Sequence, residues 1–140
     1  MRVLVDTPIW SECLRRSSSA SGNHRAELSR LIKGGHVDII GPIRQEVLSG
    51  VKELAQFDRL NGVLGAFRDL PLDTELFVEA ARFYNLCRSK GVQGSGIDFL
   101  ICAVATKHNL DIYTTDQDFE FYSSVLPISL HKMKKPSQST

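Results

Sequence analysis

Four short apolar runs, separated by stretches with helical periodicity, leave this chain of 140 residues few folds to choose from. Val3–Val5 is a β-branched and aliphatic run, as are residues 37–40 (VDII), 110–115 (LDIYTT) and 125–130 (VLPISL). Runs of this length with few polar breaks read as strands buried on both faces, as in a parallel sheet. The first ends at Asp6 and runs into Thr7-Pro8, and the second ends at Gly41-Pro42. Thr is a good N-cap and Pro suits the first helical position, so both junctions predict helix starts.

The segments between the strands carry apolar residues at helical spacing. Helices are expected over residues 8–15, 24–33, 52–67, 73–90, 97–108 and 116–123, with another opening at Gly41. Residues 97–108 (IDFLICAVATKH) are apolar on every side for three turns and predict a central, buried helix. Residues 17–22 (SSSASG) read as a small polar linker, and 91–96 (GVQGSG) as a flexible loop. Residues 69–72 contain Pro71, which removes a ladder donor, so they read as an edge strand at most. Strands alternating with helices imply an α/β fold: three layers, α/β/α, around a central parallel sheet. One domain is expected over residues 1–131, with a polar, basic tail over 132–140 that frays.

Acidic residues stand where that fold would bind ligands. Asp6 and Asp116 close apolar strands, Asp98 opens the most apolar helix, and Glu46 lies in the second turn of the helix after strand two. In a parallel sheet the C-terminal ends of the strands share one rim, and ligands bind there. Ile43, Val47 and Val51 mark the core side of the second-strand helix, which puts Glu46 on its flank. Each acid also has a local explanation. Ser95 and Asp98 are spaced as a capping box, Asp116 could cap its short helix, Asp6 could close a turn, and Glu46 could be solvated. Taken together, several like charges at one rim raise one another's pKa and cost stability, a cost that a divalent cation removes. Oxygen ligands select Mg²⁺, Ca²⁺ or Mn²⁺ rather than zinc. His24, His36, His108 and His131 lack zinc-site spacing and read as surface or helix-end residues.

Composition narrows the remaining classes. Lys and Arg total 17 against 16 Asp and Glu, so any nucleic-acid site must be a local patch. Arg15, Arg16, His24 and Arg25 flank the linker, and Arg44 and Lys52 lie near Glu46. These are the candidates for phosphate contacts. Cys13, Cys87 and Cys102 sit in apolar or helical surroundings without a Cys-x-x-Cys pair, which predicts buried reduced thiols and a cytoplasmic setting. No secretory leader or membrane span is expected. No Walker loop or dinucleotide fingerprint occurs.

Leu4-Val5-Asp6-Thr7, Glu46, Ile97-Asp98-Phe99-Leu100-Ile101-Cys102-Ala103 and Thr114-Thr115-Asp116-Gln117-Asp118-Phe119 together resemble the PIN-domain ribonucleases. The similarity is closest to the VapC-type toxins of toxin–antitoxin pairs and covers residues 1 to about 130. The last segment, T-x-D-x-D-F, is the most specific. The resemblance implies a Mg²⁺- or Mn²⁺-dependent endoribonuclease. It implies that Asp6, Glu46, Asp98 and Asp116 are the metal-site acids, that Asp118 assists, and that Thr7 and Thr114 steady the site. It also implies an RNA substrate, a homodimer with a shared groove, and a cognate antitoxin that enters the groove.

Three other readings stand beside it. A phosphatase of the haloacid dehalogenase type also starts with a strand ending in Asp, but it needs a second acid where this chain has Pro8. A non-catalytic RNA- or protein-binding module would use the acids only as caps. A PIN-like nuclease could serve RNA processing or DNA cleavage instead of toxicity.

Overall fold

The computed structural model describes residues 1–15 and 22–133. The expected linker at 17–22, apart from Gly22, and the tail beyond residue 133 lie outside the described residues, as does Arg16. In chain order the elements are β1 (Val3–Val5), α1 (Thr7–Arg15), α2 (Gly22–Lys33), β2 (Val37–Asp38), α3 (Gly41–Leu48) and α4 (Leu54–Leu64). There follow α5 (Thr74–Ser89), α6 (Gly96–His108), β3 (Asp111–Tyr113), α7 (Asp118–Ser123) and β4 (Ser129–Leu130).

The four strands form one sheet in the order β2-β1-β3-β4, and every pairing is parallel. Val3 pairs with Val37 on one side of β1 and Asp111 on the other, which sets the register. The chain leaves β1 toward β2 and later returns past β1 to β3. Right-handed crossovers in opposite directions put their helices on opposite faces of the sheet. The strand order therefore reverses between β1 and β3, and a crevice opens beyond their C-terminal ends. The α/β fold with a central parallel sheet is the one expected.

Burial explains the order of the layers. Val3, Leu4, Val5 and Ile112 are fully buried, and every residue of α6 from Phe99 to Ala105 is buried. A helix apolar on all sides must be covered on all sides, and α5 supplies its largest helical neighbour. Trp10 on α1 is fully buried and donates its indole N–H to the Val5 carbonyl at 3.1 Å, pinning α1 to the end of β1. All three cysteines are buried free thiols, as expected, and burial pushes each pKa up.

Several boundaries differ from expectation for local reasons. Helix α1 begins at Thr7, with Asp6 just before it. The last strand shrinks to Ser129–Leu130 because Pro127 cannot donate to a ladder. Residues 69–72 make a single parallel bridge, Ile39 to Asp69, in place of an edge strand. Helix α4 is shorter than expected at both ends, and Gly65 caps it. Helix α7 starts at Asp118, two residues later than expected. The loop after α5 opens with Gly91 at φ 78°, and the Val92 amide donates back to the Cys87 carbonyl at 2.8 Å. Only a residue free to adopt positive φ makes this helix stop without strain.

Candidate functional site

The crevice at the reversal of strand order receives side chains from four elements. Asp6 follows β1, and its amide donates to the Tyr113 carbonyl of β3 at 2.9 Å. Its side chain is buried, the residue being 6% exposed. Oδ1 accepts the Thr7 amide and Oδ2 accepts the Thr114 hydroxyl, each at 2.8 Å. Thr114 spends its only proton on Asp6 and accepts the Asp116 amide at 3.0 Å. One hydroxyl thus couples the acid of β1 to the acid beyond β3. The Thr7 hydroxyl donates to Glu46 at 3.2 Å, which ties α3 to the same rim.

Asp98, Asp116 and Asp118 form the tightest group. Each offers a carboxylate oxygen within 4.8 Å of the others, a spacing at which three carboxylates can share one cation. Asp116 is not the N-cap of α7, a place held by Gln117, but its Oδ1 accepts the Asp118 amide at 2.9 Å. Ser95 caps α6 as expected, its hydroxyl accepting the Asp98 amide at 3.1 Å. The Asp98 carboxylate does more than cap, because Oδ2 accepts the Tyr122 hydroxyl at 2.6 Å. Asp6 and Glu46 lie outside the tight group. Asp6 is linked to it through Thr114, and Glu46 is hydrogen-bonded to the Thr7 hydroxyl beside Asp6. The α3 register does turn Glu46 toward the rim, where it lines a recess of about 440 Å³ with Gln45, Ser49, Ser95, Ile97 and Asp98.

Among the described residues, the influences that shift the Asp6 and Asp98 carboxyls are burial, hydrogen-bond donors and other acids. Burial pushes the Asp6 carboxyl up to about 6, against the lowering effect of the Thr114 and Thr7 hydrogen bonds. The charges of Asp98 and Glu46 raise it further. Burial also raises Asp98, opposed by the bonds from Tyr122 and Ser95, and the Asp116 charge adds to the rise. Burial and the contact with Asp98 push the Tyr122 hydroxyl well above its ordinary range, so it donates.

Not every expected residue serves this rim. Arg44 was a phosphate candidate, but it donates to Asp69 at 3.0 Å and to the carbonyls of Leu64 and Phe67 at 2.9 and 2.6 Å. With these bonds it clamps the end of α4. His24 shares a hydrogen bond of 2.7 Å with the buried Tyr113 hydroxyl. His131 is not a surface residue: its side chain is 6% exposed and meets Glu27 at 2.5 Å. Tyr122 was missed altogether. Its signal was its position four residues after Asp118, on the same face of a helix.

A family model for the PIN domain matches residues 3–123. The chain belongs to the PIN domain family. No curated protein sequence matches it. Among solved structures, FitAcB from Neisseria gonorrhoeae superposes with a TM-score of 0.73 at 22% identity, over 93% of this chain and 96% of that one. FitAB bound to an IR36 DNA fragment gives 0.76 at 21% identity, over 92% and 93%. VapBC2 from Rickettsia felis, bound to a DNA fragment from their promoter, gives 0.75 at 16% identity, over 96% and 100%. At these identities the likeness concerns the fold. The PIN family and fold expected from sequence are met.

Proposed function

We propose that this PIN domain is a Mg²⁺- or Mn²⁺-dependent endoribonuclease, the toxin of a toxin–antitoxin pair. The observation that carries the reading is the group of Asp98, Asp116 and Asp118, with oxygens within 4.8 Å of one another beside a buried Asp6. The donor set is all oxygen, which suits a hard divalent cation. The raised carboxyls of Asp6 and Asp98 fit as well, because repulsion and burial leave charge that such an ion would neutralise. Asp98, Asp116 and Asp118 would hold the ion, with Asp6 and Glu46 completing the acidic surround. When bound, the ion supplies an activated water and a counter-charge for the phosphodiester in flight.

The chain's own residues do the rest. Thr114 orients Asp6 and, through the Asp116 amide, fixes the turn that presents Asp116. Thr7 holds Glu46 at the edge of the recess, where a carboxylate not bound to the ion can take a proton from water. Exposed Arg15 and Lys52 remain as phosphate contacts.

The partners follow from two surfaces. Helices α5 and α6 leave Phe77 53%, Ile97 42% and Tyr84 36% exposed around an apolar recess of about 560 Å³. That face supports a homodimer. An antitoxin as partner fits the likeness to FitAB and VapBC2, and an Arg or Lys entering beside Asp98 would find unpaired carboxylates. No helix among the described residues is long and apolar enough to cross a membrane, in keeping with a cytoplasmic toxin. The test is cleavage of total RNA in Mn²⁺. Wild type cuts, while Asp6→Asn and Asp98→Asn do not, and EDTA stops wild type. Cutting that persists in EDTA or in either variant refutes the reading.

A further inference from the structure

Tyr122 is a buried phenol whose hydroxyl points at an acid of the rim. It is 0% exposed, and its ring packs against Phe99 and Phe119, with centroids 4.9 and 5.0 Å away. Those two contacts account for the ring, and a phenylalanine would satisfy them equally. They do not account for the hydroxyl, which donates to Asp98 Oδ2 at 2.6 Å across 24 residues of sequence.

The loop before α6 is shaped around that hydroxyl. A Cβ at Gly94 would overlap the Tyr122 oxygen and lie 2.6 Å from Cζ. The ring cannot yield cheaply, because it is fully buried and packed against Phe99 and Phe119. The absence of a side chain at residue 94 therefore leaves room for the hydroxyl where it meets Asp98.

A carboxylate on a helix N-terminus can turn about its own side-chain bonds. Ser95 accepts the Asp98 amide and also hydrogen-bonds the carboxylate from the helix start, so the side chain is held there from one side. The Tyr122 hydroxyl adds a second, short anchor on Oδ2 from another helix, and two anchors from different elements fix the plane. Partners that orient a metal-binding carboxylate contribute strongly to metal affinity although they never touch the ion.

We propose that Tyr122, seated by Gly94, is a positioning residue that aims Asp98 toward Asp116 and Asp118 for a divalent cation. This rests on the metal reading of the rim, and the experiment separates the two. Mn²⁺ alone is titrated calorimetrically into the wild-type chain, Tyr122→Phe and Gly94→Ala, and the Mn²⁺ EPR spectrum and Tm are recorded for each.

Tyr122→Phe keeps the ring and is expected to melt within a few degrees of wild type. Its Mn²⁺ dissociation constant rises about tenfold, and the EPR line shape of the bound ion changes. Gly94→Ala keeps the hydroxyl but takes its space, and it weakens Mn²⁺ binding in the same direction. Wild-type affinity and line shape in Tyr122→Phe would overturn the proposal while leaving the metal reading intact. A wild-type chain that takes up no Mn²⁺ would overturn both.

Discussion

Two buried aspartates on neighbouring strands are treated in opposite ways. Asp38 lies on β2, is 8% exposed, and receives the Arg2 guanidinium in a two-pronged bond of 2.7 and 2.6 Å. Asp6 lies just past β1, is 6% exposed, and receives one amide and one hydroxyl. Both carry the cost of leaving water. Arg2 repays it for Asp38, and among the described residues no cation is seen to do so for Asp6. A fold that can place an arginine against one buried acid and leaves another among like charges is holding that second charge for something outside the chain.

The comparison can be broken in several ways. The largest effect is on activity. Asp98→Asn is expected to lower RNA cleavage by roughly 100-fold or more, beyond what loss of an orienting partner costs, while Asp38→Asn leaves it unchanged. A cleavage assay on both variants checks this, and comparable losses would erase the distinction.

The next effect is on stability, and the two sites should differ in sign. Asp6→Asn removes a buried charge that has no cationic partner among the described residues. In EDTA at pH 8 it is expected to stabilise the chain by about 2 kcal/mol, since two pKa units correspond to nearly 3 kcal/mol and the Thr114 proton then loses its acceptor. Asp38→Asn strands part of Arg2 and is expected to destabilise by about 1 kcal/mol, a figure held down because the Arg2 side chain is half exposed. Urea unfolding of both variants measures the signs directly.

A smaller effect calibrates the ion pairs away from the rim. Glu27 accepts two bonds from Arg30, which hold its carboxyl down at about 2, with the His131 contact helping. A depressed carboxylate stabilises the fold above its unfolded pKa, and that contribution fades as pH falls from about 4.5 toward 2. Arg30 is well exposed, so Glu27→Gln should cost no more than about 1 kcal/mol at pH 7 and almost nothing at pH 2. Equal losses at both values would show that the pair contributes packing and not charge.

Much of the fold, and the Asp6 side of this contrast, could be read from the sequence alone. Punctuation carried the fold: Thr7-Pro8, Gly41-Pro42 and the Ser95 cap mark helix starts because they act within a few residues of themselves. The apolar runs gave a parallel α/β sheet, and strand ends gave Asp6 and Asp116. Readings that needed distant partners failed. Arg44 looked like a phosphate ligand because its neighbours in sequence do not reveal Asp69, 25 residues away. Tyr122 was not singled out, because its ring is core and only its oxygen belongs to the rim. His131 reads as a polar residue near a terminus, yet it is buried against Glu27 across 104 residues. The register of α3 could be computed from its apolar stripe, and Glu46 does face the rim, although through Thr7.

The most direct test follows the charge on Asp6 itself. Its folded pKa of about 6 exceeds the ordinary 3.8, so the folded chain without metal holds a proton that the unfolded chain has lost. Stability from this group is present below pH 4 and is lost as pH rises through 6. Tm is measured from pH 4 to 8 for wild type and Asp6→Asn, in EDTA and in excess Mn²⁺. In EDTA, wild type should fall progressively below Asp6→Asn as pH climbs from 4 to 7, and Mn²⁺ should restore it above pH 6. Parallel curves in EDTA together with no rise in Mn²⁺ would contradict a rim that holds its charge for a cation.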